Sequence, residues 1–209
     1  MTVTDIEVLS YINQPEYRLF ANKLWFAEQM GYKCGPRGVP VPEPGEYIVR
    51  PIYNLEGMGL GASREYLWED SNIPLGYFWC ELFQGDHITV DWEKQDGEWV
   101  QCSTFKGIRN TENLYKFERW HRINITMPLP DICADIDAET INVEYIGNKP
   151  IEVHIRQNPN PVQYDEMIVM WYSTPHEVWG EMQKANYEFI PAYQSVGTDA
   201  RLGFFVKGE

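Results

Sequence analysis

The sequence has no paired cysteines, no basic stripe and no long apolar run. Its four cysteines, Cys34, Cys80, Cys102 and Cys133, form no CxxC pair. They predict reduced cytoplasmic thiols and give no sign of a disulfide framework or a zinc site. No apolar run approaches the roughly 18 residues that span a bilayer. The N-terminus, MTVTDIEVLS, lacks the basic start and apolar core of a signal peptide. With 31 acidic residues against 17 Lys and Arg, the net charge is −14. A surface of that sign repels a phosphate backbone, so neither nucleic acid nor a membrane is expected as a partner. A metal–phosphate ligand stays compatible, because a divalent ion brings its own positive charge. The dinucleotide fingerprint G-x-G-x-x-G, the Walker loop ending G-K-[ST] and the nucleophile elbow G-x-S-x-G are also missing, as are internal repeats.

What is present is a globular chain. At 209 residues and 44% hydrophobic it can bury a sizeable core in one or two domains. Its 8 Trp and 13 Tyr point to a β-rich core or an apolar cleft without choosing between them. Residues 15–31, PEYRLFANKLWFAEQMG, place Leu19, Phe20, Leu24, Ala27 and Met30 roughly on one side, which predicts an amphipathic helix stopped at Gly31. A Pro- and Gly-rich loop over 33–46 leads into a strand at 47–50. The next stretch, NLEGMGLGAS, alternates Gly57, Gly59 and Gly61 before Ser63. Such glycines let backbone N–H groups approach a phosphate, although a plain flexible loop has the same composition. Asp96-Gly97 marks a hairpin turn, and Lys106, Arg109, Lys116, Arg119 and Arg122 make 106–122 the most basic segment. That segment reads as a solvated helix or loop face, or as cations for a phosphate or carboxylate.

The chain is best organised around INVEYIGNKPIEVHIR, residues 141–156. It predicts two short strands turning at Gly147-Asn148. Glu152, His154 and Arg156 alternate, so they share one strand face, and an odd-length loop would set Glu144 opposite Glu152 on that face. Adjacent carboxylates repel unless a cation or a proton lies between them, and hard oxygen donors of this kind suit Mg²⁺. The plain alternative is a solvent-facing polar strip with surface ion pairs. His87 and His121 read as surface or core-edge histidines, and nothing beyond aromatics suggests sugar binding.

The order of these pieces, from about residue 20 to 160, resembles the ATP-grasp superfamily. Asn22-Lys23-Leu24 followed by GVPVP is similar to its entry motif. EYIVRPI with EGMGLGAS resembles its phosphate-facing strand and glycine loop. YFWCELFQGDHITVD resembles the strand and hinge that frame adenine, and INVEYI…KPIEVHIR resembles the two Mg²⁺-bearing strands. The resemblance implies an α+β fold of two small antiparallel-sheet-plus-helix subdomains enclosing a nucleotide cleft, 15–92 and 93–209, after an N-terminal segment 1–14. It implies that Lys23, Arg50 and the loop Gly57, Gly59, Gly61, Ser63 contact ATP, with Glu81 and Leu82 framing adenine. Glu144, Glu152 and His154 would serve Mg²⁺, His154 as a ligand or a group behind the ligands. Arg156, with Lys106 and Arg109, would supply charge to the transferred phosphoryl group. The implied reaction is ATP- and Mg²⁺-dependent ligation of a carboxylate to an amine or thiol through an acyl-phosphate.

The sequence departs from the family pattern at several points. Arg50 stands where Lys is usual, and His154 stands in place of Asn. Glu144 and Glu152 are closely spaced, and little precedes Lys23 where such ligases carry an N-terminal α/β domain. The last point implies a substrate presented by another protein or a peptide. The departures also leave room for a degenerate ATP-grasp-like protein that binds nucleotide, or only a partner. A β-rich protein unrelated to ATP-grasp would place Glu144 and Glu152 far from the glycine loop.

Overall fold

The computed structural model describes residues 6–54, 59–109, 113–192 and 200–207. Two antiparallel sheets form an α+β fold. The first is built from β1 (Cys34–Pro36), β2 (Gly45–Pro51), β3 (Ser63–Leu67) and β4 (Tyr77–Glu81), in the order β1-β4-β2-β3. The second is built from β5 (His87–Gln95), β6 (Glu98–Arg109), β7 (Phe117–Arg122), β8 (Thr140–Ile146), β9 (Lys149–His154), β10 (Glu166–Trp171), β11 (Glu188–Pro191) and β12 (Arg201–Val206), in the order β11-β12-β10-β7-β6-β5-β8-β9. The helices are α1 (Ile6–Asn13), α2 (Lys23–Gln29) and α3 (His176–Lys184). None is long and apolar enough to cross a membrane.

The helix predicted over 15–31 is interrupted. Pro15–Ala21 winds as a 3₁₀ helix, Asn22 is extended at φ −87° and ψ 98°, and α2 begins at Lys23. Asn22 breaks the helix because its side chain accepts from the Trp25 amide as an N-cap while its backbone bridges to Tyr53. The break turns Lys23 inward. The basic segment 106–122 is neither helix nor loop over most of its length, since its ends are the strands β6 and β7.

The two sheets meet at an irregular stretch, Leu82–Asp86, so the expected division at 92–93 falls inside β5. This stretch lies against the β8–β9 turn. Gly147 N donates to Asp86 O at 2.7 Å. A Cβ on Gly85 would sit 2.8 Å from Gly147 Cα.

The second sheet has two unlike faces. Ile88, Val90, Trp92, Ile141, Val143, Tyr145 and Val153 pack with Phe26 of α2, and Ile168, Met170 and Phe205 lie under Val178, Trp179 and Met182 of α3. The alternate residues of β5, β8 and β9 point the other way: His87, Thr89, Asp91, Asn142, Glu144, Glu152 and His154. This polar face continues into an apolar floor of Phe105, Trp120, Met167 and Phe204.

Candidate functional site

The hairpin β8–β9 turns at Gly147-Asn148, with Ile146 opposite Lys149. A two-residue turn with regular pairing would set Glu144 opposite Ile151. A bulge between Glu144 and Tyr145 shifts the register by one, so Glu144 faces Glu152 and Asn142 faces His154. The bulge is what brings both carboxylates to one face. His154 Nε2 lies 3.7 Å from Glu144 Oε1 and 3.5 Å from Glu152 Oε1, between the two acids. This is not an exposed strip, because Lys23 and His154 are each 5% exposed and His87 is 8% exposed.

Cations close the cluster. Lys23 Nζ forms an ion pair with Glu152 Oε1. His87 Nε2 meets Glu144 Oε2 at 3.0 Å, and Arg109 Nη2 meets His87 Nδ1 at 2.6 Å. A guanidinium has only donors, so His87 Nδ1 accepts, and its Nε2–H is the proton given to Glu144. Burial works to raise the Glu144 pKa. The hydrogen bonds from His154 and His87 outweigh it and hold the carboxyl well below its usual value. Arg50 reaches across from β2, donating from Nη2 to Ile151 O at 3.0 Å and stacking over Phe78 at 5.2 Å. Its Nε is buried with no hydrogen-bond partner. Burial lowers the Arg50 pKa, and the charge of Glu144 is among the groups that oppose this. Lys23, Arg50, Arg109, Glu144, Glu152 and His154 are therefore one cluster where the first sheet meets the polar face of the second.

Behind it sits a second polar layer. Asp91, 1% exposed, accepts from Ser103 Oγ at 2.6 Å, Asn142 Nδ2 at 3.0 Å and the Asn158 amide at 2.8 Å. Asn142 Nδ2 also meets Thr89 Oγ1 at 2.8 Å. This layer fixes the strands that carry Glu144 and His154.

The other expected residues fall at the margins. Lys106 lies opposite Ile88 on the helix-covered face and pairs with Asp86 at 2.8 Å, so it does not join Arg109 at the cluster. Arg156 follows β9 and donates to Gln157 O at 3.1 Å. Glu81 accepts from the Lys33 amide at 2.9 Å, and Leu82 begins the stretch between the sheets. Gly57 lies outside the described residues. Gly59 and Gly61 have φ of +65° and +79°, and Asn54 Nδ2 donates to Leu60 O at 3.2 Å to close the loop. Ser63 opposes Val49 at the start of β3. A Cβ on Gly59 would lie 3.6 Å from Tyr115 Cβ, so the loop end stands beside the second sheet. His87 is a correction. It belongs to the cluster and is not a core-edge histidine, and the alternation His87, Thr89, Asp91 in HITVD carried that signal.

The donor set can be tested against a metal. Among the described residues no three His, Cys, Asp or Glu form a ready-made metal site. Mg²⁺ needs less from a protein, commonly one or two carboxylates with phosphates and waters completing the shell. Glu144 and Glu152, converging on one imidazole nitrogen, fit that requirement, and His154 fits better as the group that orients them.

No protein-family model and no curated protein sequence matches this chain. Solved structures do. The chain is similar to a protein from Archaeoglobus fulgidus described as an ATP-grasp superfamily member, with TM-score 0.53 and 12% identity over 91% of this chain and 65% of that one. It is similar to N5-carboxyaminoimidazole synthetase from Staphylococcus aureus complexed with ADP, with TM-score 0.60 and 11% identity over 93% and 69%. The N5-carboxyaminoimidazole ribonucleotide synthetase of Thermus thermophilus gives TM-score 0.59 and 9% identity over 91% and 68%. The chain thus spans about two thirds of each of these proteins, slightly less for the first. At such identities the likeness is one of fold, and it excludes an unrelated β-rich architecture: this chain has the ATP-grasp fold.

Proposed function

We propose that the cluster binds a magnesium–nucleotide complex and that the chain is an ATP-dependent carboxylate–amine, or carboxylate–thiol, ligase. The observation that carries this reading is the pair Glu144 and Glu152, set face to face around His154 and ringed by Lys23, Arg50 and Arg109. In a chain of net charge −14, three cations gathered on two carboxylates suit a polyphosphate with its metal. ADP bound to the Staphylococcus aureus structure supports the same ligand.

In this reading Glu144 and Glu152 hold Mg²⁺, which supplies charge neutralisation and orientation of the phosphoryl oxygens. Lys23 leaves Glu152 for the phosphates, and Arg50 and the loop Gly59–Ser63 line their path. Glu81 and Leu82 frame the base. The substrate carboxylate attacks the γ-phosphorus, the bond to ADP breaks, and an acyl-phosphate forms. The amine or thiol then attacks the acyl carbon, loses a proton and expels phosphate. Arg109 and Arg156 neutralise the developing charge, so catalysis is mainly positioning and electrostatics. The two sheets act as two subdomains closing over the nucleotide. The carboxylate is carried by another protein or a peptide.

One observation favours a second reading, a nucleotide-binding protein without turnover. Lys23 already neutralises Glu152, and His87 and His154 already hold Glu144. Hydroxylamine trapping decides between the two. With Mg·ATP, hydroxylamine and a panel of carboxylic acids and acidic peptides, the ligase reading predicts a hydroxamate and stoichiometric ADP from at least one acid. Nucleotide binding with no hydroxamate from any acid leaves the second reading.

A further inference from the structure

Cys34 on β1 and Cys80 on β4 lie directly opposite each other in the first sheet. The phase of the hydrogen bonds fixes how close they come. Glu81 N donates to Lys33 O at 2.9 Å, and Arg37 N donates to Tyr77 O at 3.3 Å. Those contacts mark the hydrogen-bonded positions of the β1–β4 ladder, which alternate with non-hydrogen-bonded ones, so Cys34 and Cys80 form a non-hydrogen-bonded pair. Pro36, opposite Phe78, has the same phase, which suits a residue with no N–H to give. On the other flank of β4, the bond from Ile52 N to Gly76 O sets the phase in which the Cys80 backbone bonds to Ile48 of β2. Side chains of a non-hydrogen-bonded pair share a face, with Cα atoms about 4.5 Å apart. That is inside the window of about 4.4–6.8 Å that a disulfide spans without backbone movement. Both thiols are free, Cys80 buried and Cys34 half-buried on the strand that ends the sheet. They pack in one cluster with Phe78 and with Leu24 and Ala27 of α2. The Arg50 guanidinium lies over the same Phe78, and its charge acts on both sulfurs.

We propose that Cys34 and Cys80 are a thiol-oxidation site, which closes into an intrachain disulfide tying the edge strand β1 to β4 beside Arg50. The oxidant is a small-molecule disulfide. Cys34 is the more accessible of the two and reacts first. It gives up its proton, and the thiolate attacks one sulfur of the oxidant and expels the other half as a thiol. Cys80 then gives up its proton, attacks the Cys34 sulfur and expels the second half as a thiol. Two protein thiols are oxidised to one disulfide, and the oxidant is reduced to two thiols. Burial pushes Cys34 up to about 11 and Cys80 up to about 12, against the pull of Arg50, so the pair rests protonated and the first step is slow. The second step gains from proximity, because the ladder already holds the two residues face to face. Cys102 on β6 and Cys133 in the core of the second sheet have no cysteine across from them among the described residues. The site does not rest on the nucleotide reading above.

The test incubates the folded full chain with oxidised glutathione at mildly alkaline pH and maps its peptides by mass spectrometry without reduction. The expected product is the Cys34 peptide joined to the Cys80 peptide, with no glutathione left on either. In Cys80→Ala the same treatment should leave glutathione on Cys34, because nothing displaces it. In Cys34→Ser the buried Cys80 should stay unmodified. The oxidised wild type should melt at a higher temperature than the reduced protein, since the bond closes a long loop without moving the strands. Dithiothreitol should restore both the peptide map and the melting temperature. Glutathione persisting on Cys34 of the wild type, a bridge to Cys102 or Cys133 in place of Cys80, or no reaction at either residue overturns the site. A melting temperature that falls on oxidation also overturns it, because the strands would then have had to move. The wild-type map decides the question even if Cys80→Ala does not fold.

Discussion

Lys23, the first residue of α2, places its ammonium against the carboxylate of Glu152 on β9, and both side chains are nearly closed to water. Breaking a buried pair costs more than the pair is worth, because the surviving charge stays desolvated. Glu152→Ala should therefore destabilise the protein by about 3 kcal/mol. The double change Lys23→Met with Glu152→Leu should recover much of that loss. Urea unfolding of the two variants beside the wild type checks both. Equal losses in the single and double variants would mean that the pair is not coupled.

Asp91 gives a second stability prediction. Its carboxylate accepts three hydrogen bonds, from Ser103, Asn142 and the Asn158 amide. Asp91→Ala leaves those donors unanswered in the interior and should cost about 3 kcal/mol. Asp91→Asn can keep all three if the Ser103 hydroxyl turns to accept, so its cost should be near 1 kcal/mol. Thermal melts of the two variants make the comparison.

Gly85 tests the docking of the irregular stretch onto the hairpin. Its φ is +128°, and an added Cβ would meet Gly147 Cα and N at 2.8 and 2.9 Å, both backbone atoms. Gly85→Ala should cost about 2 kcal/mol from backbone strain and lost docking. Amide exchange should speed up at Gly147, whose N–H donates to Asp86 O.

The cysteines give a prediction about burial. Desolvation pushes the thiols of Cys80 and Cys133 up to about 12 and that of Cys34 up to about 11. A thiolate is the nucleophile, so a raised pKa leaves little reactive form at pH 8. Cys102 is also raised by burial but is the exposed one. Iodoacetamide at pH 8 should label Cys102 first, with Cys80 and Cys133 labelled only on unfolding, as read by peptide mass spectrometry.

The hairpin was legible because alternation and a Gly-Asn turn are local signals. Its register was not, since the bulge at Glu144 that aligns the two acids depends on pairing with β9. The extended residue Asn22 was hidden for a similar reason. Its bridge to Tyr53 and its cap on Trp25 compete with a helical pattern that runs through it. His87 and Arg109 meet only after β5 and β6 pair, and the separation of Lys106 from Arg109 follows from strand parity.

The central claim is that the polar face at Glu144 and Glu152 binds nucleotide with its metal. Calorimetric titration of ATP into the wild type and Glu144→Gln, each with Mg²⁺ and with EDTA, tests it most directly. The account predicts binding to the wild type that requires Mg²⁺ and weakens at least tenfold in Glu144→Gln, about 1.4 kcal/mol. No binding at millimolar ATP, or binding indifferent to both Mg²⁺ and Glu144, would contradict it.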